Sequence, residues 1–262
     1  MGTPPPPVLP VGDLPEHDAV GVDLAVPAVA LAVAAHPDDV EFGCGATLAK
    51  WATKGCRVHH LILTDGSKGT WEADDDIATL IERRRAEQRH AAAVLSGGEG
   101  RGDVRFLDWP DGELESGPTP RRQVCQVIRQ LRPDVVLGHD PWRRYRLHPD
   151  HRHAGWLVTD AIVAARDPQF FPELDEPPHR PHALLLWEAD EPNHVEDADG
   201  MLDTKVAALL AHRSQYRSTM GIETASASES DDFRDRVRRQ LAAHGRLAGL
   251  VAGEAFRLLV DL

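Results

Sequence analysis

Hydrophobic positions along this chain fall into short unbroken runs separated by longer stretches with helical spacing. Residues 29–35 are all apolar, and the run stops abruptly at His36, Pro37, Asp38 and Asp39. A run of that length ended by turn residues reads as a strand buried on both faces. The same pattern predicts strands over 57–64, 104–107, 135–138, 183–188 and 254–259. Helical spacing predicts helices over 45–51, 77–95, 120–131, from the 148–156 stretch to about 165, and over 201–212 and 231–244. Lys54-Gly55 and Ser96-Gly97-Gly98 are helix stops, and Pro120 suits a first helical turn. Residues 167–181 are proline-rich and read as a surface excursion, and 218–230, rich in Ser, Thr and Glu, as a loop or lid.

The alternation of strand and helix predicts an α/β fold, a Rossmann-like mostly parallel sheet with helices on both faces. Residues 1–20 are rich in proline and acidic side chains with no hydrophobic period, so they read as an arm before a single domain over 21–262. Right-handed crossovers place the carboxyl ends of successive parallel strands at one edge. His36, Asp65, Asp108 and His139 are therefore expected to face one crevice, where open α/β sheets collect their chemistry.

Composition narrows the function. The 262 residues carry a formal net charge of -13, with 42% hydrophobic and 27% charged residues. That charge argues against a nucleic-acid partner, which needs a basic footprint, and leaves a neutral sugar open. Cys44, Cys56 and Cys125 are an odd number without metal-type spacing, which fits a reducing compartment. No stretch is long and apolar enough for membrane insertion, and the N-terminus lacks a basic segment followed by an apolar core, so a cytoplasmic location is expected. The arm could pack on a second subunit, so a homo-oligomer stays open.

One imidazole and two carboxylates within four residues at a strand end repel and desolvate one another unless a cation joins them. Beyond the fourth strand, His148 and His151 lie three apart at a helix start, where such positions share a face. A catalytic divalent site takes about three protein ligands and keeps one position open. His36, Asp39 and one of the two later histidines supply them. Adjacent side chains in a turn diverge, so Asp38 is left free to accept a proton from water acidified by the cation. The remaining histidine is placed to donate to an oxyanion or a leaving amine, with Asp150 to orient its ring.

The stretches AHPDDVEFGCGATLAK (35–50) and RLHPDHRHAG (146–155) together resemble the LmbE-like, or PIG-L, family of metal-dependent de-N-acetylases. Supporting matches are LTDGSKGT (63–70), RRAE (84–87), FLDWPDGEL (106–114) and KVAALLAHRSQY (205–216). The resemblance implies zinc held by His36, Asp39 and His151, and a set of two histidines and one carboxylate binds iron(II) as well. It implies Asp38 as general base, His148 as oxyanion stabiliser and proton donor tuned by Asp150, and Arg84 and Asp111 as substrate contacts. The implied substrate is a small N-acetylated amino sugar, with a larger amide as the alternative, and a non-catalytic ligand-binding protein as a rival of another class. Val40 departs from the Glu or Ile common after the paired aspartates. His212 falls in a family motif whose role the sequence does not explain.

Overall fold

The structure, a computed structural model, describes residues 20–98 and 103–262. The expected arm therefore lies outside the described residues except for Val20. Eight strands form one sheet: β1 (Gly21–Val22), β2 (Val29–Ala34), β3 (Arg57–Thr64), β4 (Val104–Trp109), β5 (Val135–His139), β6 (Ala183–Trp187), β7 (His194–Asp197) and β8 (Gly253–Val260). Their order across the sheet is β1-β7-β8-β6-β5-β2-β3-β4. From β6 to β4 every pair is parallel, whereas β8 runs antiparallel to both β6 and β7.

From β2 the chain steps outward to β3 and β4, then returns to the other side of β2 for β5 and β6. The reversal lies between β2 and β5, the kind of position where crossovers leave opposite faces and open a crevice. The helices are α1 (Asp39–Thr53), α2 (Ile77–Ser96), α3 (Pro118–Leu131), α4 (Pro149–Arg166), α5 (Leu202–Leu209) and α6 (Ala227–Gly245). Alternate side chains of β2 feed two cores. Ala30, Ala32 and Ala34 pack with Leu48, Trp51 and Leu95 from α1 and α2. Leu31 and Val33 pack with Ile128, Leu157 and Val158 from α3 and α4. Among the described residues no helix is long and apolar enough to cross a membrane.

Two helix starts differ from expectation by more than one turn. Helix α6 begins at Ala227 because Ser226 and Glu229 form a reciprocal capping box, a signal that the Ser- and Glu-rich composition obscured. Helix α1 begins at Asp39 rather than Gly45, and it tolerates a non-helical residue at Cys44 (φ -147°, ψ 19°). The N–H groups of Ala46 and Thr47 are taken by the Glu254 carboxylate at 3.0 and 2.7 Å. Lys205 Nζ joins that carboxylate at 2.5 Å and also reaches Phe42 O at 2.8 Å. A buried ion pair thus repairs the kink, and the turn carrying Asp38 and Asp39 sits at the head of the repaired helix.

Candidate active site

The turn after β2 carries His36, Asp38 and Asp39 into the crevice, and the start of α4 brings His148, Asp150 and His151 opposite them. His36 Nδ1 and His151 Nε2 lie 3.1 Å apart. Asp39 Oδ2 is 3.3 Å from His36 Nδ1, and Asp39 Oδ1 is 3.2 Å from His151 Nε2. Donor atoms on a tetrahedral zinc with bonds of roughly 2.0–2.1 Å stand about 3.3 Å apart. The three side chains expected as ligands therefore present donor atoms at the edge lengths that such a cation requires.

The surroundings of His36 fit the same group. Its Nε2 faces Asp150 Oδ2 at 3.1 Å and Asp111 Oδ1 at 3.3 Å. Carboxylates cannot donate, so Nε2 carries the proton, and in the neutral ring Nδ1 offers a lone pair toward the other donors. A carboxylate on the far nitrogen is the usual support of a metal-binding histidine. Burial disfavours the charged form of His36, but Asp111, Asp150 and Asp39 outweigh it and hold its pKa well above the ordinary histidine value. The cluster of carboxylates thus selects for positive charge at that point, from a proton or a cation. Burial pushes His151 the other way, to about 4, which keeps its ring neutral as a ligand must be. Arg146 Nε lies 3.1 Å from the Nδ1 of His151, and the same guanidinium pairs with Glu188.

Asp38 behaves differently. It stands at the N-cap of α1, yet its side chain makes no capping bond and its backbone is left-handed (φ 99°, ψ -26°). For a residue other than glycine that conformation costs on the order of 1–3 kcal/mol. Helix capping, the ordinary use of an aspartate after proline, is therefore not what this side chain does. Its carboxylate is buried, which pushes its pKa up to about 6 against the opposing pull of the Arg84 charge. Arg84 Nη2 stands 3.9 Å from Asp38 Oδ2, and the guanidinium is fixed by the carbonyls of Gly66 and Pro37, each at 2.8 Å. The pocket beside it is lined by His36, Asp38, Asp39, Arg84, Asp111 and His148, with Trp71 at its edge.

A family model for GlcNAc-PI de-N-acetylases, PIG-L, matches residues 31–162. The chain belongs to the PIG-L family. It is 36% identical to diacetylchitobiose deacetylase of Thermococcus kodakarensis over 71% of this chain and 69% of that protein. It is 31% identical to a 1D-myo-inositol 2-acetamido-2-deoxy-alpha-D-glucopyranoside deacetylase of Saccharopolyspora erythraea, over 70% of this chain and 82% of the relative. The solved N,N'-diacetylchitobiose deacetylase of Pyrococcus horikoshii shares the fold with a TM-score of 0.79 and 26% identity, over 89% of this chain and 84% of that one.

Within this PIG-L chain, three expectations need correction. Asp150 does not turn to His148. It lies in the first turn of α4, fully buried, where it takes His36 and the backbone N–H groups of Gly112 at 2.6 Å and Leu114 at 3.3 Å. Partial burial and the neighbouring His36 instead hold the His148 pKa below the ordinary value. Asp108 does not reach the crevice, because it pairs with Arg85 on an exposed face at 2.5 Å. Asp65 accepts the N–H of Ser67 in its own loop at 2.9 Å and that of Asp111 in the loop after β4 at 3.1 Å.

His139 does arrive, in a role the residue pattern did not assign. Trp187 Nε1 donates to His139 Nδ1 at 3.0 Å, and an indole N–H can only donate. The proton of the neutral His139 ring is therefore on Nε2, 3.3 Å from Asp39 Oδ2, where it orients the carboxylate. Gly43 makes room for this arrangement, since a Cβ there would stand 2.6 Å from the Trp187 ring. Gln215 also lines the pocket and donates to Gly69 O at 3.0 Å. Strand adjacency and loop docking place these groups, and neither is written in local spacing.

Proposed function

We propose that the chain hydrolyses the N-acetyl group of an N-acetylglucosamine-type sugar, with zinc held by His36, Asp39 and His151. The observation that carries this reading is the close triangle of His36 Nδ1, His151 Nε2 and the Asp39 carboxylate beside an uncommitted, buried Asp38. A divalent cation at that point, when bound, supplies a Lewis acid and makes water acidic near neutral pH. Iron(II) uses the same donor set.

The chain's own groups do the rest. Asp38 takes a proton from water as its oxygen bonds to the amide carbon. His148, with its ring centroid 4.7 Å from that of His151, offers an N–H to the oxyanion as a neutral ring. Asp38 then returns its proton to the nitrogen as the C–N bond breaks, releasing acetate and a free amine. Arg84 and Asp111 stand at the wall of the pocket as contacts for sugar hydroxyls. Lys68, Gln215 and Ser218 add polar groups, and Trp71 adds an aromatic face. Hydrogen-bonding side chains beside an aromatic surface suit a sugar ring.

The test is amine release from N,N'-diacetylchitobiose and from N-acetylglucosaminyl-inositol, using zinc-loaded native protein with Asp38→Asn as control. Release by the native protein that ceases after chelation and returns with zinc supports the reading. No release from either sugar by fully loaded protein overturns the substrate class.

A further inference from the structure

The geometry points to a buried relay, His212–Glu41–Gln88, as the device that holds Asp38 in its left-handed conformation and keeps its carboxylate aimed at the pocket. The proposal rests on the reading of Asp38 as the base. Gln88 Oε1, on α2, accepts the backbone N–H of Asp38 at 2.9 Å. Gln88 Nε2 donates to Glu41 Oε1 at 2.9 Å and lies 3.2 Å from His60 Nδ1. Glu41 Oε2 then faces His212 Nε2 at 3.2 Å. Gln88, Glu41 and His212 are all fully buried.

Each link has one workable polarity. Glu41 can only accept, so the amide of Gln88 must turn its nitrogen to Glu41 and its oxygen to Asp38. His212 must in turn present Nε2–H to the other carboxylate oxygen. A buried carboxylate in such a place is costly unless its lone pairs are taken, and here it fixes the rotamer of Gln88. The His212 segment is itself pinned to α2, where Glu87 accepts the N–H and hydroxyl of Ser214 at 2.9 and 2.6 Å. The motif at 205–216 thereby acquires two duties: Lys205 repairs the kink in α1, and His212 anchors the relay at its head.

The alternative conformation shows what the relay prevents. An N-cap aspartate ordinarily has an extended backbone and turns its carboxylate to the first N–H groups of its helix. Asp38 in that state would cap α1 and leave the pocket. Gln88 fixes the peptide plane from which the left-handed backbone of Asp38 departs. Gln88, Glu41 and His212 are thus positioning residues for Asp38, without contact to substrate.

Gln88→Met removes the acceptor at nearly constant length. Turnover is expected to fall about 10- to 100-fold, with KM within about twofold and metal content unchanged. In an Asp38→Asn background the same change should cost less than about twofold, because the group being positioned is already disabled. An equal loss in both backgrounds would assign Gln88 to general structure and overturn the proposal. Backbone amide exchange of Asp38 in metal-free protein separates this from the base reading. Gln88→Met should speed that exchange at least about tenfold, whatever Asp38 does in the reaction, and unchanged exchange overturns the relay. Native turnover in Asp38→Asn alone would overturn the base reading and, with it, the proposed purpose of the relay. If Gln88→Met does not fold, His212→Gln, which keeps a donor for Glu41, should retain Asp38 exchange and turnover while His212→Leu loses both. Equal behaviour of those two variants overturns the proposal.

Discussion

The Nε2 atom of His36 lies 3.1 Å from Oδ2 of Asp150, and the same carboxylate accepts the N–H groups of Gly112 and Leu114. Asp150 therefore ties the loop after β4 to the turn after β2, with His36 in between. Asp150→Asn is expected to weaken zinc binding by roughly 10- to 100-fold, the usual effect of losing a carboxylate behind a ligand. It should leave any pH limb due to His148 in place. Competition with a chromogenic chelator measures the affinity, and native affinity in the variant would show that Asp150 does not support His36.

The ligand assignment separates the two histidines of α4. His151→Ala and Asp39→Ala are expected to lose tight metal binding, because each removes a corner of the donor triangle. His148→Ala should keep its metal. Elemental analysis of the purified variants checks this, and equal metal in His151→Ala and His148→Ala would refute the assignment.

Asp38→Asn is expected to retain the metal and lose turnover by about 100-fold or more. It should also stabilise the metal-free protein. The folded pKa of Asp38, about 6, lies above its ordinary value, so its ionised form is disfavoured by folding. The penalty is absent below about pH 4, grows between about pH 4 and 6, where the unfolded chain binds fewer protons than the native one, and is fully present above about pH 6. Asparagine removes a penalty of at most about 3 kcal/mol at neutral pH. Denaturant melts of both metal-free proteins at acidic and neutral pH test this, and a gain that grows toward low pH would contradict the sign.

The pocket edge distinguishes two exposed tryptophans. Trp71 is 73% exposed and lines the pocket that contains Asp38. Trp142, in the loop after β5, meets Trp156 edge-on and lines a separate groove with Asp140 and Asp190. Trp71→Ala should raise KM roughly fivefold, the value of one aromatic contact, with kcat little changed. Trp142→Ala should leave both constants near native. Kinetics on diacetylchitobiose decide between them, and the reverse ranking would move the substrate to the other groove.

Much of the molecule was legible as sequence because its signals are local. The core run at 29–35 is a continuous apolar stretch, the stop of α2 is written in Gly97, and Pro120 lies in the first turn of α3, which begins two residues earlier than expected. The meeting of His36, Asp39 and the 148–151 stretch at one sheet edge followed from strand order and helix spacing, and the choice of His151 from the family resemblance. Tertiary structure decided what depends on neighbours distant in the chain. Strands β1 and β7 span two and four residues, too short to carry a periodic signal, and they exist by pairing with one another and with β8. Asp150 stands two residues from His148 yet serves His36, because the first turn of α4 aims it across the crevice at the loop after β4. Gln88, Glu41 and His212 come from α2, α1 and the segment after α5, and no spacing rule links them. The residues that could hold a cation were visible from chemistry and order along the chain. The partners that orient them are set by packing, since a hydrogen bond between remote segments is fixed only when both have folded.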